Sequence, residues 1–257
     1  MTTGFNGFSQ QGLTFLLQVR QHNSKEWFEA HRADYEATLL VPFRALLESL
    51  GITMLQIDEH FETRPTKTLS RIHRDTRFSR DKSRYRSTMW LTFKRSRKNW
   101  TDAPTYFFEI RPDSWHYGLG YYSASRPTME LFRQTLREDP QRFLKVAACL
   151  GDEFALEGES YRRPLIKDQP AALAHWYNRK SLAAVASRQD MSPLFSGELV
   201  TMLAEGFTRL EPLYRYLMDI ERMKRAEQAG AFDALSDRLY RRNVNSSAAS
   251  IALLRLL

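Results

Sequence analysis

Cysteine is nearly absent from the sequence, because Cys149 is the only one in 257 residues. A single thiol excludes an internal disulfide and any metal centre that is built from several thiolates. The neighbours of Cys149 have helical spacing, which favours a small buried hydrophobic side chain over a nucleophile. Walker loops, nucleophile elbows and the usual spacings of metal ligands are missing as well. We therefore expect no cofactor and no metal site.

Positive charge is missing from the start of the chain, where the first Lys or Arg is Arg20. The apolar stretch 13–19 thus lacks the basic leader of a secretory signal, and no apolar run has the length that crosses a membrane. We expect a soluble, cytoplasmic protein with no membrane partner.

Acidic residues are missing between Asp81 and Asp102, although the composition is otherwise that of an ordinary globular protein, with 42% hydrophobic and 26% charged residues. The formal net charge is +8 and the isoelectric point is near 9.6. A basic balance of this size indicates attraction to phosphates, nucleic acid or acidic surfaces.

The positive charge is densest in residues 71–86, here called the basic segment, which contains seven Lys or Arg and two Asp. Like charges this close together repel each other. They are tolerated where they extend into water, pair with carboxylates from elsewhere in the chain, or meet an external anion. Two aspartates cannot neutralise seven cations, so the choice among these three outcomes is the functional question.

Hydrophobic spacing predicts helices at the start of the chain and strands in the middle. Ser9 and Asn23 carry helix-start signals, Pro42 interrupts the helix that follows, and Gly51 fits its end. Apolar and polar residues then alternate in three stretches, which predicts antiparallel strands over residues 89–93, 105–111 and 115–121.

Helical spacing returns after the strands. Pro127 and Asp139-Pro140 each begin a helix, and Gly151 closes the second one. Residues 152–170 are rich in charge, proline and glycine, and we expect an irregular segment there that serves as a lid. The remaining predicted helices cover residues 175–186, 197–211 and 213–228, and the charges of residues 219–228 are expected to face solvent.

This order of helices, strands and helices predicts an α+β fold, with a central antiparallel sheet flanked by N-terminal and C-terminal helices. No internal repeat and no long linker divides the chain. We expect one domain over residues 1–242 and a loosely attached tail over residues 243–257.

One motif resembles a known family. The series Arg-Asp-x-Arg-Phe-x-x-Asp-Lys at residues 74–82, followed by Tyr85, is similar to the signature of the family called domain of unknown function 2461. The resemblance implies no catalytic residue and no reaction. Arg84 stands where the family usually has proline, and Leu119 interrupts what is often a run of glycines. The resemblance extends from Phe8 to about Leu217 and includes residues 23–28, 118–120, 180–181 and 212–213.

Our leading hypothesis is that the basic segment forms a pocket or groove for a phosphate-bearing ligand or for nucleic acid. Arginine presents a planar fork of donors that suits phosphate oxygens, and lysine adds a point charge. Asp81 and Asp75 would orient neighbouring guanidiniums, and Tyr85 would form a hydrogen-bonding or stacking wall. The expected anion contacts are Arg71, Arg74, Arg77, Lys82 and Arg86.

Three alternatives use the same region. In an enzyme acting on a phosphorylated substrate, His73, Asp75 and Glu109 would transfer protons. In a structural or interaction protein, the motif would be an internal network of salt bridges. A surface for single-stranded nucleic acid would stack bases on aromatic rings set among the cations, and the candidate rings are Phe78, Tyr85, Trp90, Phe93 and Trp100.

Overall fold

The computed structural model describes residues 4–77, 80–166, 170–227 and 229–230. Helices at the two ends of this part of the chain enclose a sheet formed by its middle. The fold is α+β with helices flanking an antiparallel sheet, which confirms the predicted class. The predicted tail over residues 243–257 lies outside the described residues.

The N-terminal helices begin at the capping signals that the sequence contains. The Ser9 hydroxyl accepts a hydrogen bond from the Gly12 amide at 3.3 Å, and the Ser24 hydroxyl accepts one from the Trp27 amide at 3.1 Å. The second helix is therefore capped one residue later than Asn23. The helices are α1 (Gln10–Gln21), α2 (Lys25–Ala30), α3 (Arg32–Tyr35) and, after a π turn at Glu36–Leu40, α4 (Val41–Ile57).

The stretch Arg32–Ile57, which joins α3, the π turn and α4, is long and apolar enough to cross a membrane by length and composition alone. A core helix meets the same criterion, so this finding is weak evidence for a membrane span. Phe43, Leu46 and Leu50 of α4 are fully buried in the core. Gly51 lies inside α4, so its predicted role as the helix end is wrong.

The sheet has five strands in the order β1-β2-β3-β5-β4, all antiparallel to their neighbours. Its registers place Leu91 opposite Phe108, and Phe108 opposite Tyr117. These apolar residues share one face and are fully buried. The strands are β1 (Met89–Phe93), β2 (Pro104–Ile110), β3 (Trp115–Tyr121), β4 (Ala155–Glu157) and β5 (Ala183–Arg188).

Strand β5 corrects the helix predicted over residues 175–186. A helix ends at Tyr177, and the alanines that suggested further helix lie in a strand that pairs with both β3 and β4. Glycine makes this pairing possible, because a Cβ atom at Gly118 would lie 2.0 Å from the Ala184 carbonyl oxygen. Close approach of two strands has overridden helix propensity here.

Pro127 and Asp139-Pro140 begin helices as predicted, and β4 lies within the stretch that was expected to be irregular. Helix α9 packs against β3 through a ring contact between Phe207 and Tyr117. The remaining helices are α5 (Pro65–Thr68), α6 (Arg126–Glu138), α7 (Pro140–Ala147), α8 (Ala171–Tyr177), α9 (Glu198–Arg209) and α10 (residues 211–227).

Helix α10 corrects a second prediction, because part of its charged stretch is buried. Glu221 is 1% exposed and Lys224 is 4% exposed. The Lys224 ammonium lies 2.8 Å from a Glu221 carboxylate oxygen and 3.1 Å from the Asp102 carboxylate. Arg97 forms an ion pair with Glu221 from the other side. Asp102 and Arg97 are over a hundred residues from these helix residues, so spacing along the helix cannot reveal them as partners.

Candidate functional site

The basic segment and the edge of the sheet border a cleft of about 750 Å³. Trp90 and Thr92 of β1 line it, with Lys94 two residues further on, because alternate residues of a strand share a face. Residues 66–71, residues 73–75 and Arg86 also line the cleft, as do Trp100 and Tyr122.

Backbone hydrogen bonds hold the basic segment against the sheet. The Ser70 amide donates to the Trp90 carbonyl at 2.8 Å, and the Trp90 amide donates to the Ser70 hydroxyl at 3.0 Å. The Arg86 amide donates to the Ile72 carbonyl at 2.8 Å, so the two ends of the segment run side by side. The Asn23 side chain donates to the Tyr85 carbonyl and accepts from the Tyr85 amide, both at 2.9 Å. Residues from α1–α2, the segment and β1 thus fix the shape of the cleft.

The two carboxylates that line the cleft are paired with cations that do not line it. Asp75 accepts two hydrogen bonds from the Arg77 guanidinium, at 3.0 and 2.8 Å, and these bonds lower its pKa to about 2. Arg64 likewise holds the pKa of Glu62 at about 2. Both carboxylates therefore stay ionised in neutral solution. Each is hydrogen-bonded to an arginine outside the cleft and acts on a cleft cation only at longer range, Asp75 on Arg86 and Glu62 on Lys94.

Seven Lys or Arg line the cleft, and three of them have a carboxylate partner. Arg74 lies 3.0 Å from Asp81, Arg95 lies 2.6 Å from Asp58, and Arg97 pairs with Glu221. Within the described ranges, the other four have no carboxylate within 4.0 Å. These four, here called the cleft cations, are Lys67, Arg71, Arg86 and Lys94.

Arg86 is one of the two cleft cations that are partly buried. Its guanidinium lies over the Trp90 ring, 4.7 Å from the ring centroid. Burial lowers the pKa of Arg86, and the nearby positive charge of Arg74 lowers it further. The site therefore disfavours the charge that Arg86 carries, which is the environment that a bound anion would relieve.

Lys94 is similarly placed and was absent from the predicted set. Its ammonium lies 4.4 Å from the centroid of the Trp100 ring and donates to the Thr92 hydroxyl at 2.6 Å and to the Lys67 carbonyl at 3.2 Å. Burial lowers the pKa of this lysine. The alternation Trp90, Thr92, Lys94 along β1 is the sequence signal that places it on the cleft side.

Of the predicted anion-binding residues, Arg71, Arg74 and Arg86 line the cleft. The others lie elsewhere in the described structure. Arg77 binds Asp75, and the Lys82 ammonium donates to the Thr76 carbonyl at 2.8 Å. Asp81 holds Arg74, which is the orienting role that was predicted for it.

Tyr85 does not form the expected wall of the pocket. It is 2% exposed, and its ring stacks on Phe28 with 4.4 Å between centroids. The predicted stacking residue Phe93 is also in the core, whereas Trp90 and Trp100 line the cleft. Phe78 lies outside the described residues. The structure adds Tyr122, which the sequence did not single out.

The fold places only two of the three residues of the enzyme hypothesis in the cleft. His73 and Asp75 line the cleft, but Asp75 is held by Arg77. Glu109 lies on β2 and forms an ion pair with Arg111, outside the lining of the cleft. The described part of the chain contains no group of three or more His, Cys, Asp or Glu side chains that could hold a metal ion.

A second cavity, of about 510 Å³, adjoins Arg95. Buried Asp58 accepts hydrogen bonds there from the Arg95 guanidinium at 2.6 Å, from the His60 amide at 3.0 Å and from the Tyr214 hydroxyl. Burial raises the pKa of Asp58, but these hydrogen bonds outweigh burial and hold it below 3.8. Arg95 is thus matched by an acid of the same chain.

Comparison with known proteins gives one result that covers most of the chain. The family model described as a conserved hypothetical protein, DUF2461, matches residues 11–216, a range that contains the whole cleft. The comparison with curated proteins gives no match. The chain belongs to the DUF2461 family.

Proposed function

We propose that the cleft binds a phosphate-bearing ligand, whose oxygens contact Arg86 and Lys94. The observation that carries this proposal is the charge of Arg86, which is partly buried over Trp90 without a carboxylate partner among the described residues. Burial of an unpaired charge costs free energy, and a bound anion offsets that cost. Phosphate suits the site because a guanidinium can donate two parallel hydrogen bonds to it.

Three other side chains would support this contact. Arg71 extends the positive surface, and Arg74 does the same while Asp81 holds it in place. Arg77 holds Asp75 and so offsets the negative charge of that carboxylate at the edge of the cleft. Binding requires no proton transfer, and the proposal includes no reaction.

The test is thermal unfolding with and without inorganic phosphate, at constant ionic strength adjusted with chloride. A ligand that binds only the folded state at a hundred times its Kd adds about 2.7 kcal/mol of stability. For a chain of this size we expect the melting temperature to rise by roughly 5 °C. Arg86→Gln should lose most of that rise.

Arg84→Gln is the matched control, because it removes an exposed arginine of the same segment whose side chain does not line the cleft. We expect it to keep the rise in melting temperature. Lys94→Gln should weaken the rise and provides a second variant if Arg86→Gln does not fold. Absence of a rise in the wild type, or equal rises in the cleft and control variants, would overturn the proposal.

A further inference from the structure

Tyr122 is an aromatic side chain that the fold leaves in solvent beside the cleft. It follows the last residue of β3, lines the cleft, and is 76% exposed. Its ring lies 5.7 Å from the Trp100 ring, at an angle of 45°. Most rings of this chain are packed in the core, so this exposed ring has a face open to a ligand.

Rings and cations alternate along the cleft. Arg86 covers Trp90, Lys94 covers Trp100, and Trp100 contacts Tyr122. Tyr122 and Arg86 line the same cleft, as do the two tryptophans and Lys94. One ligand in this cleft therefore has both the open ring and the guanidinium of Arg86 among its possible contacts.

We infer that the ligand is a nucleotide unit with an unpaired base, which stacks on Tyr122 while its phosphate contacts Arg86 and Lys94. This inference rests on the proposed function. A base presents a flat face to an aromatic ring, and stacking of this kind needs no sequence-specific hydrogen bonds. A base inside a duplex is already stacked on both sides, so double-stranded nucleic acid does not fit this arrangement.

The volume of the cleft suits one such unit, since sites for small ligands range from about 300 to 1,000 Å³ and this one is about 750 Å³. The path continues beyond it. Arg95 and Ser96 also line a neighbouring cavity of about 500 Å³, together with Glu59, His60 and Arg225. The same chemistry therefore fits a free nucleotide or one residue of a single strand.

The experiment measures the affinity of the full chain for three probes by calorimetry at fixed ionic strength. The probes are ribose 5-phosphate, adenosine 5′-monophosphate and an eight-residue single-stranded oligoadenylate. Stacking of one base contributes enough free energy for a roughly tenfold gain in affinity. We expect adenosine 5′-monophosphate to bind about tenfold more tightly than ribose 5-phosphate, and Tyr122→Ala to remove that gain only.

Tyr161→Ala is the control, because Tyr161 also contacts cations, Arg133 and Lys180, but lies outside the cleft. It should leave both affinities unchanged. If ribose 5-phosphate binds as tightly as the nucleotide, the inference is overturned while the proposed function stands. If no probe binds, both fail.

The oligonucleotide separates the two sources of the base. A single strand is supported if the oligoadenylate binds more tightly than the mononucleotide and if its binding weakens steeply with salt. Equal binding per site supports a free nucleotide. A duplex of the same length that binds as tightly as the single strand would overturn the inference, because its bases offer no free face.

Discussion

Arg97 stands at the border between two groups of cations that differ in what neutralises them. On one side, Arg97 and Lys224 meet Glu221 and Asp102 in a buried network. On the other side, the cleft cations have no carboxylate within 4.0 Å in the ranges that the structure describes. Residue type is the same in both groups, so the position of the acids separates a structural network from a candidate binding site.

The strongest way to sharpen this comparison is to replace a cation of the buried network by an apolar residue of similar length. Lys224→Met leaves buried Glu221 and half-buried Asp102 with fewer positive partners. Breaking a buried ion pair from one side costs about 3–5 kcal/mol. We expect that loss in the free energy of unfolding, measured by urea denaturation at pH 7.

The matched control is Arg222→Met on the same helix. Arg222 is exposed and pairs with Asp219 three residues away, and such pairs contribute little. Equal losses in the two variants would show that the burial of the network does not matter.

Asp58→Asn changes a pair at the edge of the cleft and should have the next largest effect. The variant removes the charge that Arg95 binds, and hydrogen bonds to charged groups contribute about 1.5–3 kcal/mol. We expect a loss of about 2 kcal/mol at pH 7 in urea denaturation. The control is Asp190→Asn, which should lose less stability than Asp58→Asn, because the exposed Asp190 carboxylate accepts a hydrogen bond from the Ser192 amide of its own turn.

The pH dependence of the Asp58 variant has a definite sign. The folded pKa of Asp58 lies below the ordinary value of 3.8, so its ionised form stabilises the folded state at any pH above that value. This stability is lost as the pH falls through the folded pKa. The difference between wild type and Asp58→Asn should be constant above about pH 5 and should shrink below pH 3.8. A difference that grows in acid would contradict the assignment.

Arg86→Met tests the other side of the comparison with the same type of substitution as Lys224→Met. Methionine retains contact with Trp90 but removes a partly buried charge that lacks an acid. We expect the free energy of unfolding in phosphate-free buffer to change by less than about 1 kcal/mol, with a gain favoured over a loss. A loss as large as that of Lys224→Met would mean that Arg86 serves the fold and not a ligand.

Much of this fold follows from local patterns. Alternation fixed β1 to β3, and capping by Ser9 and Asp139 fixed two helix starts, because both depend on neighbouring residues. Strand β5 was missed because its pairing depends on Gly118, which lies some 65 residues earlier along the chain. Local propensity contains no information about such a partner.

Prediction of the candidate site from the sequence meets the same limit, because it too depends on partners that are distant along the chain. The basic segment was singled out from its charge, and Arg71, Arg74 and Arg86 of the predicted set line the cleft. Which arginines keep an acid partner depends on side-chain pairs that charge counting cannot identify. Lys94 and Tyr122 were absent from the predicted set because each follows the last residue of a strand and belongs to no motif. The alternation along β1 gives the side on which Lys94 lies but not its role.

The smallest expected effect comes from Lys94→Met. The folded pKa of Lys94 lies below 10.5 because burial disfavours its charge. Between that pKa and 10.5 the unfolded chain holds more protons, so this lysine makes the wild type more stable as the pH rises. We expect the free energy of unfolding of wild type relative to Lys94→Met to increase by less than about 1 kcal/mol between pH 7 and pH 10.

Exposed Lys98 supplies the control for this last test, since Lys98→Met removes a charge from the same part of the chain. A relative stability that stays flat for both variants would contradict the constrained environment of Lys94. Saturating phosphate should reverse the sign of the stability difference between wild type and Lys94→Met at pH 7. The reason is that the bound anion favours the charged lysine that burial disfavours. Lys94→Met should then be the less stable protein, and the cleft cations would have acquired from the ligand the partner that Lys224 has within the chain.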